Sequence, residues 1–247
     1  MQRKIAFITG GNRGLGFQTA LALKDPAIKV VIGSRDLKSG ELAIQELRDA
    51  GVDADLFQFD ITKPADFKAA FEYFDFRYGV LDILVNNAGI AAGKFPGTGP
   101  EHSAAEVPLD LLHKVFETNF FGQVALTQAL LPLIRKSTAG RIVNLSSILG
   151  SLTLHADPKS PIYHAKSFAY DASKSALNAF TIHLAYELRD TNIKVNSAHP
   201  GWVKTDMGGE QAPMELSEGG RTSAALATLP DDGPSGGYFH LGQAIPW

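Results

Sequence analysis

The chain has 247 residues, 45% hydrophobic and 20% charged, enough apolar side chain for a full α/β core and too little charge for a disordered chain. Its formal net charge is −3, with acids and bases mixed and no basic stripe, so no nucleic-acid partner is expected. The absence of cysteine excludes disulfides, thiolate metal sites and a cysteine nucleophile, and no apolar run nears the roughly 20 residues that span a bilayer; the chain reads as cytoplasmic, without a membrane partner.

Short β-branched runs alternate with longer helical patterns, as in βαβ units on a parallel sheet. The first run, Lys4–Thr9, leads into Gly10-Gly11-Asn12-Arg13-Gly14-Leu15-Gly16, which opens a helical pattern. Glycines there permit a tight turn and close approach of backbone to phosphate, and a helix N-terminus offers unpaired N–H groups. The spacing Gly-x-x-x-Gly-x-Gly differs from the commoner Gly-x-Gly-x-x-Gly, and an ordinary glycine-rich turn has the same composition. The strand before and the helix after favour a dinucleotide diphosphate site.

The second run, Lys29–Gly33, ends in Ser34-Arg35-Asp36. An acidic residue at this strand end suits the ribose 2′-hydroxyl of NAD, whereas an arginine suits the 2′-phosphate of NADP. Uncharged Ser34 beside Arg35, with Arg13 as a second candidate cation, favours NADPH over NADH. Asp36 pulls the other way, and either arginine alone reads equally as a solvated charge.

The third strand, Ala54–Phe59, is followed by Asp60-Ile61 and a helix through Phe67, Ala70, Phe71, Phe74 and Tyr78; Asp60 alone also reads as a cap or turn residue. Ile83–Asn86 is the fourth strand and runs into Asn87-Ala88-Gly89, then an irregular stretch, Gly89–Pro108. A helix carrying Asn119 is expected from about Leu109 to Leu131, where Pro132 should kink or end it. Arg141–Leu145 is the fifth strand, with Ser146-Ser147 behind it. A helix through Leu177, Phe180, Leu184 and Leu188 opens on Tyr170 and Lys174, which lie four residues apart and so share a face. Lys194–Ala198, Pro200-Gly201-Trp202-Val203-Lys204-Thr205, an irregular Gly208–Ser217 and a weak strand at Gly237–His240 complete the chain. The expectation is one dinucleotide-binding and catalytic domain over 1–247: α/β, a Rossmann-type doubly wound sheet of about seven mostly parallel strands with helices on both faces.

Together the glycine loop, Asp60-Ile61, Asn86-Asn87-Ala88-Gly89, Asn119, Ser147, the Tyr170/Lys174 pair and Pro200–Thr205 resemble the short-chain dehydrogenase/reductase family, from Lys4 to about Thr205. Within it, Gly11-Asn12-Arg13-Gly14, Thr118-Asn119-Phe120-Phe121-Gly122, Thr205-Asp206-Met207 and the closing Trp247 look most like the NADPH-dependent carbonyl reductases. The resemblance implies reduction of a ketone or aldehyde to an alcohol, with Tyr170 as proton donor. It makes Lys174 both the tuner of Tyr170 and a holder of the nicotinamide ribose, Ser147 the group that orients the carbonyl, and Asn119 the holder of a water linking Lys174 to solvent. Asp60 and Ile61 would flank the adenine, and Asn87, Ala88 and Gly89 the ribose and diphosphate. Pro200, Gly201, Val203 and Thr205 would close on the carboxamide.

The chemistry also follows from the side chains. Hydride delivered to a carbonyl carbon leaves an alkoxide that needs a proton. A free tyrosine has a pKa of about 10, and a neighbouring ammonium is expected to lower it. A serine hydroxyl stabilises the developing oxyanion. Strand alternation points only one of Ser146 and Ser147 inward, and the family pattern favours Ser147. Tyr163 is a rival acid without a lysine four residues on.

The gap from Ser147 to Tyr170 exceeds the family norm, the excess falling around Thr153–Ile162, with Asp157–Pro161 reading as a loop. This insertion either shields the usual dimer surface or walls the pocket, so monomer and homo-oligomer both stay open. Phe95, His102, Ile148, Trp202 and Met207 are candidate pocket residues and suggest an apolar or aromatic carbonyl substrate. The seven histidines show no metal-ligand spacing, and no metal is expected. Two other readings are a NAD-dependent alcohol dehydrogenase of the same family and a non-catalytic NADP(H)-binding sensor.

Overall fold

The computed structural model describes residues 3–91, 93 and 102–247. In chain order the elements are β1 (Lys4–Thr9), α1 (Gly14–Ala22), β2 (Ile28–Ser34), α2 (Leu37–Asp49), β3 (Ala54–Gln58), α3 (Pro64–Tyr78) and β4 (Ile83–Asn86). Then come α4 (Leu109–Phe116), a π turn (Glu117–Phe121), α5 (Gly122–Ile134), β5 (Arg141–Leu145), α6 (Leu152–Ala156), α7 (Phe168–Glu187), β6 (Lys194–Ala198), α8 (Arg221–Ala227), β7 (Tyr238–His240) and β8 (Gln243–Ala244). The strands form one sheet in the order β3-β2-β1-β4-β5-β6-β7-β8, parallel except for the last pair.

Strand alternation builds a core on each face. In β1, Ala6 and Ile8 enter one core and Ile5 and Phe7 the other. Val30 and Ile32 against Val31 repeat this in β2, as do Ile83 and Val85 against Leu84 in β4. Helices α1, α2 and α8 cover the first face; α3, α5 and α7 cover the second. Each fully buried Leu, Ile or Phe contributes about 1.5–3 kcal/mol, so the two layers hold the sheet between them. Helix α3 shows how local sequence bounds an element. Pro64 opens it, and Gly79, at φ 70°, closes it with its N–H donating to the carbonyls of Phe74 and Asp75.

The order of strands reverses between β1 and β4, which opens a crevice at their carboxyl ends. The loops after β1, β4, β5 and β6 all reach that end of the sheet.

Several expectations need correction. The helix expected from Leu109 to Leu131 is broken at its centre by the π turn and then runs through Pro132 to Ile134. Pro132 lies in the last turn, where only one backbone bond is lost, and buried Leu130, Leu133 and Ile134 hold that turn to the core. Asp157–Pro161 is loop as expected, but the insertion begins in the short helix α6. Ser151 caps α6 by accepting from the Leu154 N–H at 3.1 Å. An eighth strand of two residues folds back antiparallel on β7, too short to leave a periodic pattern. No helix among the described residues is long and apolar enough to cross a membrane.

Candidate active site

The glycine loop joins β1 to the first turn of α1 at the crevice. A Cβ at Gly16 would lie 2.4 Å from Asn87 Nδ2 and 2.6 Å from the Gly10 carbonyl oxygen, so only glycine fits. Asn87 stitches the loop to β4: its Nδ2 donates to the carbonyls of Thr9 (2.7 Å) and Gly10 (3.1 Å). The Thr9 hydroxyl accepts from the N–H groups of Asn87 and Ala88. The Asn87 side-chain donors are thus engaged with the loop itself, and Gly89 stays exposed beside it. Leu15 packs towards the first core and Gly219. The unpaired N–H groups at the start of α1, with no side chain over them, fit a diphosphate.

At the carboxyl end of β2, Ser34 is buried and donates to the Asp36 carbonyl at 2.7 Å. Asp36, which complicated the reading of this strand end, caps α2 by accepting from the Ser39 N–H at 2.7 Å, and that contact holds its carboxyl below the usual range. Arg35 is exposed, and its charge reaches Asp60 at the end of β3. Asp60 makes an Asx turn, accepting from Thr62, while Ile61 points into the core. Asn12 donates to Ser39 at 3.1 Å. Arg13 pairs with Asp206 at 2.9 Å, both strongly exposed, so a solvent-screened bond ties the glycine loop to the segment after β6. With Asp36 engaged in capping α2, the end of β2 presents the Arg35 cation rather than a free carboxylate, which fits a 2′-phosphate better than a bare ribose.

The candidate reacting groups come from the end of β5, from α7 and from the π turn. Ser146 is buried and its N–H donates to the Ala198 carbonyl; Ser147, one residue on, is half-buried, accepts from the Leu149 N–H at 3.3 Å and lies near enough to the Tyr170 phenol to offset part of the rise that burial causes. Of the two serines, Ser147 is the one beside the phenol. Lys174 lies 5.7 Å from the Tyr170 ring centroid, and its Nζ donates to the Leu145 carbonyl at 2.7 Å. Tyr163 stands apart under Lys166. The expectation that Lys174 lowers the Tyr170 phenol is not met. Burial pushes the phenol up to about 12, partly offset by Ser147 and reinforced by Asp171. Burial also pulls Lys174 down to about 8. Desolvation penalises the charged form of each group, and the ammonium spends a donor on Leu145 rather than on the phenol.

Asn119, fully buried in the π turn, has its side chain wholly engaged. It accepts from the Ile90 N–H (2.8 Å) and donates to the Ile90 carbonyl (2.9 Å) and the Ser173 hydroxyl (3.0 Å). A Cβ placed on Gly89 would lie 3.4 Å from Asn119 Oδ1 and 3.6 Å from Lys174 Nζ, so all three meet at one point. Beyond β6, Pro200 is buried and Gly201 turns at φ 97°. Val203 bridges to Met214, and Thr205 accepts from the Gly208 N–H at 2.9 Å. Trp202 is exposed and donates to the Gly208 carbonyl at 2.8 Å; Ile148 and Met207 are half-buried. His102 lies instead against Ser167, and Phe95 falls outside the described residues.

Two residues carry weight that the sequence did not disclose. Asp171, next to Tyr170, is held up to about 7 by burial, although it accepts from the Ser167 N–H at 2.8 Å and feels Lys166. It borders a cavity of about 520 Å³ with His102, His155, Lys166 and Phe168. His199, pushed down to about 3 by burial and by His240, accepts the Ile148 N–H on Nδ1 at 3.1 Å and so steadies the turn after Ser147. An acid beside a helical tyrosine and a histidine before a proline have no spacing that marks them; their surroundings come from distant segments.

The profile of the family described as short chain dehydrogenase matches residues 4–216. Carbonyl reductase [NADPH] 1 of Mus musculus is 32% identical over 99% of this chain and 99% of its own length. Among solved structures, an NADPH-bound carbonyl reductase from chicken fatty liver superposes with a TM-score of 0.82 at 29% identity, covering 100% of both chains. Carbonyl reductase Sniffer of D. melanogaster gives 0.83 at 28%, again over 100% of both.

Proposed function

The chain belongs to the short-chain dehydrogenase/reductase family, and from that premise we propose that it reduces a ketone or aldehyde to an alcohol with NADPH. The observation that carries this reading is the juxtaposition of Ser147 and Tyr170 at the crevice, with Lys174 behind them and the glycine loop beside them. Bound NADPH supplies the hydride that reaches the carbonyl carbon. Arg35 and Arg13 hold the 2′-phosphate, the first turn of α1 takes the diphosphate, and Pro200, Gly201, Val203 and Thr205 close over the carboxamide end. Asp60 and Ile61 border the adenine, Ile61 through its backbone because its side chain is in the core.

Ser147 donates to the carbonyl oxygen and holds it against Tyr170, whose hydroxyl gives up its proton as negative charge develops there. A phenol pushed up by burial is protonated near neutral pH, which suits a donor to an alkoxide. Uncharged Ser34 and exposed Arg35 at the end of β2 are the ground for preferring NADPH-linked reduction to the NAD-dependent dehydrogenase reading. The retained Ser147/Tyr170/Lys174 set likewise speaks against a sensor. Lys174 binds the nicotinamide ribose, and Asn119 holds a connecting water through its main chain, since its side chain is engaged. We take 1–247 as one catalytic unit, placed in the cytoplasm on its cysteine-free composition, acting on a small apolar or aromatic carbonyl compound.

The test is NADPH and NADH oxidation across aldehydes, ketones and quinones, with Tyr170→Phe alongside. NADPH-selective turnover is expected, falling roughly 10²–10⁴-fold in the variant with NADPH binding nearly intact. Near-normal turnover by Tyr170→Phe would remove the proton-donor assignment, and tight NADPH binding without turnover would favour the sensor.

A further inference from the structure

The turn that follows Ser147 is tied to a side chain of the neighbouring strand. His199 comes directly after β6 and before Pro200, the first of the residues placed at the carboxamide. Its main chain is fastened to β7 on both sides. The His199 N–H donates to the Phe239 carbonyl at 2.8 Å, and the His199 carbonyl accepts from His240 Nδ1 at 3.0 Å. The residue is only 8% exposed, and the His240 ring lies 4.9 Å from its own. A ring on a backbone fixed in this way acts as a strut from β6 towards the end of β5.

The strut ends on the N–H of Ile148, which donates to His199 Nδ1 at 3.1 Å. Ile148 begins the single 3₁₀ turn Ile148–Gly150, and the first N–H groups of such a turn have no partner within it. Two acceptors share them here. Ser147 Oγ takes the Leu149 N–H at 3.3 Å, and His199 takes that of Ile148. A serine oxygen that accepts from its own turn directs its hydrogen away from that turn, so Ser147 is left to donate outwards. Without His199, a backbone donor beside Ser147 loses its partner, and the turn must shift to find another.

The ring has to be neutral for this. Nδ1 accepts only when it carries no proton, so the proton sits on Nε2. An imidazolium would turn a donor on the Ile148 N–H. Burial and the adjacent His240 ring keep the neutral form. The same pair of histidines also backs Gly201, where a Cβ would lie 3.0 Å from His240 Cε1. One short segment thus joins the residues assigned to the carboxamide to the turn that carries Ser147.

We propose that His199 is a positioning residue for carbonyl reduction: its Nδ1 holds the Ile148 N–H so that the Ser147 hydroxyl is free to donate to the substrate oxygen. The proposal rests on the reductase reading above. His199→Leu offers no acceptor, and kcat is expected to fall about tenfold, the size of one lost hydrogen bond, with KM for NADPH unchanged. His199→Asn sets an amide oxygen close to where Nδ1 stands and is expected to restore most of kcat. His199→Gln carries its amide past that point, is expected to lose as much as His199→Leu, and replaces it if that variant does not fold. A readout independent of turnover is the imidazole nitrogen NMR spectrum of the wild-type protein carrying labelled histidine, with the His199 signals assigned by their loss in His199→Asn. Nδ1 is expected bare and Nε2 protonated. A proton on Nδ1 overturns the proposal, and so does an unchanged kcat in His199→Leu and His199→Gln. Equal losses in all three variants overturn it as well, because packing alone would then account for them. If the wild-type protein turns over no carbonyl compound, the reductase reading fails, and the tautomer alone decides whether His199 holds the turn.

Discussion

Arg35 and Asp36 are neighbours with opposite charges, yet their surroundings separate their tasks. Asp36 is engaged in capping α2, which leaves Arg35 as the charge presented at the end of β2. Arg35→Asp should therefore swing the ratio of kcat/KM for NADPH over NADH by roughly tenfold or more towards NADH, the worth of one charge-assisted hydrogen bond plus the repulsion that replaces it. Steady-state rates with the two cofactors check this, and an unchanged ratio would move the 2′-phosphate contact to Arg13. Asp171 makes a different prediction. Its carboxyl sits at about 7 in the fold against 3.8 in the open chain, so the folded state binds the extra proton between those values. Stability must then fall as pH rises from about 4 to about 7, by on the order of 4 kcal/mol in total. Asp171→Asn keeps an acceptor for the Ser167 N–H and removes the charge. Thermal unfolding from pH 4 to 8 should show a flatter profile in the variant, and parallel profiles would mean that the carboxylate is better solvated than its burial suggests.

Elements are joined by a few buried polar contacts. Asn86 of β4 donates to Asn144 of β5, which donates to Thr181 of α7, and Thr181 meets Ser197 of β6. Arg141, at the start of β5, is almost fully buried and donates to the carbonyls of Leu229, Gly140 and Asn192 and to Asp231. One side chain thus pins β5 to the segment between α8 and β7. Arg141→Met keeps most of the apolar stem but strips those carbonyls of their donor, and should cost about 3 kcal/mol, read as a lower midpoint in urea with an unchanged slope. A midpoint shift under about 0.5 kcal/mol would mean that solvent satisfies the carbonyls instead. The π turn at Asn119 shows the limit of pattern reading in an element. Leu109 to Leu131 has continuous helical periodicity, and the extra residue in one turn changes that periodicity too little to be seen.

Across the whole molecule, the strands and the glycine loop were legible because each depends on neighbours in sequence. Alternating apolar runs find a sheet wherever they are placed, and glycines at the end of β1 serve the turn they sit in. Lys4–Thr9, Ile83–Asn86, Arg141–Leu145 and Lys194–Ala198 were read to their ends for that reason. The pairing of Tyr170 with Lys174 was equally local, since helical geometry alone puts residues four apart on one face. The proton affinities were not local. Tyr170 rises rather than falls because α7 is buried against β5 and the 146–150 turn, and Lys174 spends its donor on a carbonyl 29 positions earlier. Nor could the order of side chains separate Ser146 from Ser147 or fix the short strand β8. Residue types and spacings specify local conformation because the forces behind them act over one or two turns. Burial, charge coupling and the facing of one segment by another arise only when distant segments pack, and these decide which side chains react and in which protonation state.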